Sequence, residues 1–247
     1  MRLLVVCRLT AFVIVLASGV PVHAQGTPTE HVAISVGVSG QVTSTTFTQS
    51  ISFEAYAETG TIDTTYSIAQ HARFTAGGVV RVWRGLGVGV AGTTMSTTDP
   101  AEISGQVPHP INANSPRALS GTADAFHHES ATHLQAVYWF QPAPRIDVLV
   151  SGGPSFMRVE QDFVSDVSYS QTFPYDTVTF QSATLTREQK SVTGFNVGGE
   201  VGFRLVGGIG VGALARYSRG TASFPDTGAS SVKLGGFEIG GGLHLTF

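Results

Sequence analysis

Residues 237–247 read Phe237-Glu238-Ile239-Gly240-Gly241-Gly242-Leu243-His244-Leu245-Thr246-Phe247. Phe237, Ile239, Gly241, Leu243, Leu245 and Phe247 point one way; Glu238, Gly240, Gly242, His244 and Thr246 point the other. A period of two is that of an extended strand whose two faces meet different surroundings. The polar face is too mixed for a soluble core, and the apolar face runs for the roughly 9–11 residues that a strand needs to cross a bilayer. The segment reads as a transmembrane β-strand.

The same alternation recurs upstream. Near 31–42, Val32, Ile34, Val36 and Val38 oppose Ala33, Ser35, Gly37 and Ser39. Comparable segments lie near 70–83, 86–96, 129–141, 146–162, 190–205 and 208–222, with a bulge expected at Gly152-Gly153-Pro154. Arg84-Gly85, Pro142–Arg145 and Val206–Gly208 are tight turns, whereas 43–69, 97–128, 163–189 and 223–231 are long connections. Short turns on one side and long loops on the other are the topology of an even-stranded membrane barrel. The reading is all-β: an eight-stranded antiparallel up-and-down transmembrane β-barrel over 31–247. One segment leaves a choice. Ser50–Ile68 can form a hairpin around Thr59-Gly60; inside the membrane it gives ten strands, but Glu54, Glu58 and Asp63 favour placing it above the bilayer.

Composition agrees. Charged residues make up 13% of the chain, about half the ~25% of an ordinary soluble domain. No stretch is apolar for long enough to be a membrane helix. With a formal charge of −3 and only Lys190 and Lys233 as lysines, the chain has no basic stripe for nucleic acid. Residues 1–24 read as a cleaved signal peptide, with Arg2 and Arg8 before an apolar run and Val22-His23-Ala24 before the cut; 25–30 form a short N-terminal segment. The single cysteine, Cys7, lies within that leader.

A barrel in lipid keeps its outer face apolar and tolerates polar groups inside. Arg81, Glu200, Arg204, Arg216 and Glu238 all fall on the inward set, as do Gln135, Asn196 and His244. Eight strands leave an interior just wide enough for side chains, and buried charges must pair. The expectation is a polar network in which Arg81, Arg204 and Arg216 pair with Glu200 and Glu238. Inward glycines (Gly87, Gly89, Gly198, Gly202, Gly210, Gly212, Gly240, Gly242) would leave room for the arginines. By the same register Trp83 and Trp139 point inward and close the lumen.

Other motifs carry less. Gly87-Val88-Gly89-Val90-Ala91-Gly92 matches a dinucleotide fingerprint by letter, but Thr93–Thr98 after it is β-like, where the fingerprint needs a helix. His127 and His133 share a face but stand about 20 Å apart along a strand, too far to ligate one metal. No serine or acid is spaced to select a nucleophile and its base. No catalytic residue, cofactor or metal is expected.

The chain from 25 onward resembles the small bacterial outer-membrane β-barrel superfamily that includes the OmpA transmembrane domain, OmpX and OmpW-like proteins. The resemblance is carried by the leader, the alternating strands, the loop asymmetry and the terminus, where Gly242, Leu245 and Phe247 match that superfamily's assembly signal while Gly240 departs from the polar residue usual there. It implies a location in the outer membrane, recognition of the last strand by the barrel-assembly machinery, and contact with outer-membrane lipids and lipopolysaccharide, as a monomer. The expected role is structural or surface-interacting, with a plugged lumen. The alternative is a narrow passive channel for small solutes, hydrophobic ones included; a lipid-modifying enzyme ranks below both.

Overall fold

The computed structural model describes residues 30–247. The predicted leader, 1–24, and residues 25–29 lie outside that range. Ten antiparallel strands follow: β1 Val32–Gln41, β2 Thr45–Ala55, β3 Glu58–Ile68, β4 Ala72–Trp83, β5 Leu86–Val107, β6 Arg117–Ala143, β7 Ile146–Ser170, β8 Thr179–Val206, β9 Ile209–Ala222 and β10 Val232–Thr246. Eight of them close a ring in the order β1-β4-β5-β6-β7-β8-β9-β10, with β10 returning to β1. The remaining two, β2 and β3, form a hairpin whose strand pairing with the ring lies at the far end of β5, where Thr61–Tyr66 pair with Ala101–Gln106. The hairpin therefore stands above the ring, as its acidic residues required.

The hairpin's turn differs from expectation. It lies at Tyr56-Ala57, both with positive φ (53° and 60°) between the paired Ala55 and Glu58. A two-residue hairpin loop needs positive φ at both positions so that its twist matches the strands. Gly60, read from sequence as the turn glycine, instead lets strands pack closely: a Cβ there would lie 2.5 Å from the Phe53 ring. Relieving the turn should be measurable. Ala57→Gly is expected to stabilise the hairpin by about 1 kcal/mol, seen as slower amide exchange across β2 and β3; unchanged or faster exchange would contradict the turn.

The long connections also differ. Most of 97–128 and 163–189 is not loop, because β5, β6, β7 and β8 run for 22, 27, 25 and 28 residues. Since roughly 9–11 residues cross the hydrocarbon, more than half of each long strand projects beyond the ring. The face pattern changes sign there. Within the ring, Val88, Val90, Leu134, Val150 and Phe156 are exposed on the outside while His133 and Ser155 are buried inside. Higher up, Met157, Val159, Phe163, Ile103 and Leu119 are buried inside, and the outer face carries Thr94, Ser96 and Thr98. Lower strands are apolar-out because lipid surrounds them; upper strands are apolar-in because water does.

Two smaller expectations are corrected. The β6–β7 pairing keeps one register from His133↔Ser155 to Ala136↔Gly152, so no bulge forms at Gly152–Pro154. Pro154 lacks an N–H, which interrupts a rung without shifting the register. A register shift does occur between Arg81 and Trp83. It turns Trp83 outward to 61% exposure, where the Arg84 guanidinium lies 4.9 Å from its ring centroid. A tryptophan at the short-turn rim suits a bilayer interface.

Candidate functional site

The chemistry of the chain is concentrated in the ring's interior, which is filled in layers. At the short-turn end Trp139 is 1% exposed. Its indole N–H donates to Asp147 Oδ1 at 3.0 Å, and the Arg81 guanidinium lies 4.1 Å from its ring centroid. Asp147 Oδ2 is 3.1 Å from Arg204 Nε, and Arg204 also pairs with Glu30. Gln141 donates to Asp147 at 2.8 Å and to Glu30 at 3.2 Å. This end is shut by one tryptophan and a chain of charged hydrogen bonds.

In the next layer Glu200 accepts from Ser35, and its Oε1 lies 2.7 Å from His244 Nδ1. Gln135 donates to Asn196 Oδ1 at 3.1 Å. Above it, Arg216 pairs with Glu238 at 3.2 Å, Ser39 donates to Glu238 at 3.1 Å, and His133 Nδ1 is 2.8 Å from Ser155 Oγ. The top layer holds a bidentate pair, Arg73 Nη1 and Nη2 to Glu129 Oε1 and Oε2 at 3.1 and 3.2 Å. Arg73 also donates to Gln41 at 2.8 Å. Such fork-to-carboxylate geometry is the strongest form of the pair.

Above these charges the interior becomes apolar. Phe47 of β2 and Tyr66 of β3 stack at 4.8 Å, with Phe163 packed edge-on against them and Phe224 tilted against Phe163. The hairpin thus delivers two rings that cap the lumen, each worth roughly 1.5–3 kcal/mol of burial. Tyr66 O–H donates to Gln49 at 2.5 Å and accepts from the Val164 N–H at 2.8 Å. Burial pushes its hydroxyl up to about 12. Between the caps remains a cavity of about 50 Å³, bordered by Ser35, Gln135, Glu200 and Arg216. That holds a few waters and is far below the ~300–1,000 Å³ of a ligand site.

Arg81, Glu200, Arg204, Arg216 and Glu238 lie on the interior side of the ring, and among these five only Arg216 and Glu238 pair with each other. They stand directly opposite across β9 and β10. Arg204 goes instead to Asp147, its diagonal neighbour, because Asp147 is opposite Gly202 on β8. Glu200 faces His244, and Arg81 lies over a ring. Sequence reasoning missed Arg73, Glu129 and Gln41, although all three sit at inward parity on their strands. Two of the inward glycines serve otherwise than expected. Gly202 makes room for the His244 ring, which a Cβ would meet at 2.5 Å, and Gly242 lets backbones approach, since a Cβ there would lie 2.1 Å from the Val36 carbonyl oxygen. Neither clears space for an arginine. His127 and His133 are separately engaged, by Gln161 and Ser155. Among the described residues no group of three His, Cys, Asp or Glu is placed to hold a metal ion.

At the terminus the Phe247 carbonyl accepts from His31 N and Val32 N, and its own N–H donates to Val32 O at 2.9 Å. Phe247 thus lies on the seam where the ring closes, its side chain 66% exposed on the outer face.

No family model matches the sequence, and no curated protein matches it. The chain is similar in fold to the outer membrane protease OmpT from Escherichia coli, with 10% identity and a TM-score of 0.47 over 91% of this chain and 99% of that one. Neisserial surface protein A gives 13% identity and 0.39 over 87% and 99%. The outer membrane protein AlkL gives 14% and 0.37 over 93% and 96%. These solved structures are small outer-membrane β-barrel proteins. At such identities the likeness concerns the fold.

Proposed function

We propose that this chain is an integral outer-membrane protein with a closed lumen, whose projecting sheet serves a structural or surface-interacting role outside the cell. The observation that carries the reading is the filled interior. Charged hydrogen bonds run from Arg204–Glu30 to Arg73–Glu129, and the Phe47–Tyr66–Phe163–Phe224 cluster covers them. The same filling disfavours a passive channel. The reading is non-catalytic: Ser155 and His133 have atoms suited to nucleophilic chemistry, but both are 0% exposed and Asn196 also donates to Ser155 Oγ. Export through the predicted leader and insertion through the Phe247 strand belong to the same reading, as a monomer in contact with outer-membrane lipids.

Topology supplies the test. The only cysteine in the sequence is Cys7, so a single introduced thiol reports its own side of the membrane. Thr184→Cys in the projecting part of β8 should react with an impermeant maleimide on intact cells. Arg145→Cys at a short turn should react only after the outer membrane is opened. Labelling of Arg145→Cys on intact cells, with Thr184→Cys silent, would invert the model.

A further inference from the structure

Of the basic residues in the described chain, five are used in ion pairs: Arg73, Arg204 and Arg216 in the lumen, Arg158 and Arg187 with Glu160 and Asp162 outside. Arg84, Arg145, Lys190, Arg219 and Lys233 are exposed and outside those pairs, and of these Arg219 and Lys233 line one cleft together. Both are exposed on the outer face, and neither forms an ion pair among the described residues. Arg219 of β9 is opposite Gly235 of β10, and Lys233 is opposite Thr221. The two cations are therefore diagonal neighbours on one face, within about 8 Å.

They share a cleft of about 300 Å³ whose other walls include Thr43, Ser44 and Thr46 on the β1–β2 link. No carboxylate lines it. Its floor is formed by Tyr217 and Phe237, directly opposed on the two strands, with Phe195 of β8 beside Arg219. Below these rings the outer face is apolar (Ile239, Val211, Val201, Leu243) down to the short-turn rim. The cleft thus sits where hydrocarbon gives way to headgroups on the projecting side of the membrane.

The cleft is held open from within. Gly235 and Gly236 have φ of 79° and 138° and bend β10. The buried Glu129 carboxylate accepts the Gly235 N–H at 2.8 Å, and Gln41 donates to the Gly235 carbonyl at 2.8 Å. A Cβ on Gly236 would meet Gln41 Nε2 at 2.7 Å. The Arg73–Glu129–Gln41 cluster therefore buttresses the bend whose outer side is the cleft.

We propose that this cleft binds the phosphate of an outer-leaflet phosphoglycolipid, with Arg219 and Lys233 on the phosphate, the Thr43–Thr46 hydroxyls beside the sugar and acyl chains running down over Tyr217 and Phe237. An arginine and a lysine supply charge-assisted donors to phosphate oxygens. The apolar floor distinguishes a lipid from a free anion. The proposal rests on the bilayer placement above but is independent of whether the lumen conducts.

The test uses the full chain without its leader, refolded in detergent and followed by native mass spectrometry with lipid A as the probe. Bisphosphorylated lipid A should be retained, and the phosphatase-treated lipid should bind about tenfold more weakly or worse. The double variant Arg219→Ser/Lys233→Ser should lose binding by a similar factor, whereas Arg84→Ser/Arg145→Ser at the opposite rim should not. The exchange Arg219→Lys/Lys233→Arg should keep most of the affinity and guards against a folding artefact, which heat-modifiable migration reports separately. Equal binding of both lipids, or undiminished binding by a folded double-serine variant, would overturn the assignment. Full displacement by millimolar inorganic phosphate would make this a free-anion site and overturn the lipid.

Discussion

Glu129→Ala is expected to destabilise the barrel by about 3–5 kcal/mol, the range for removing one partner of a buried ion pair. Glu129 is 3% exposed and accepts from both Nη atoms of Arg73 and from the Gly235 N–H. Its loss leaves a guanidinium, itself 4% exposed, without its anion in a low-dielectric interior, and leaves a buried backbone donor unsatisfied. Glu129→Gln keeps an acceptor for Gly235 but not the charge, so it should fall between. Urea titration in lipid vesicles, read by heat-modifiable migration, gives the ordering: parent above glutamine above alanine. An unchanged midpoint in the alanine variant would mean that water already screens Arg73 and the layer is not dry. The Gly235 bend should loosen in step, linking stability to the outer cleft.

Trp139→Ala is expected to cost a similar ~3–5 kcal/mol, by a different mechanism. The indole is among the largest fully buried side chains. Removing it opens a void at the short-turn end, takes a donor from Asp147 and strips the ring from beneath Arg81. Trp139→Phe should recover much of the packing and the cation–ring contact but not the hydrogen bond to Asp147. The same urea titration separates these contributions. If phenylalanine and alanine fall together, the hydrogen bond rather than the ring holds this end shut.

How much of this was legible in the sequence depends on which solvent each stretch meets. Inside the membrane, alternation is stark because the outer face must be apolar: Val36, Val88, Val150 and Val201 stand out against Gly37, Gly87, Ser151 and Glu200. The ring of eight and the inward direction of Arg81, Glu200, Arg204, Arg216 and Glu238 follow from that rule alone. Above the membrane the rule inverts, and β5–β7 continue with buried Ile103, Ala125, Val159 and Phe163 facing inward. A search for outward apolar residues stops at the lipid boundary and reads the rest as loop. Pairing was less legible than direction. Parity says that Arg204 and Glu200 face inward, but only cross-strand register puts Asp147 beside Arg204. Arg73 and Glu129 escaped notice at the upper ends of their predicted segments, on strands that β5 keeps apart. Glu30 could not be assigned a role because it precedes the first alternating residue.

The closed lumen is tested most directly by planar-bilayer recording of the purified, refolded chain. The layered ion pairs and the aromatic cap predict an electrically silent membrane at protein loads for which heat-modifiable migration confirms folded, inserted barrel. Discrete, reproducible openings of uniform amplitude from that same preparation would contradict it.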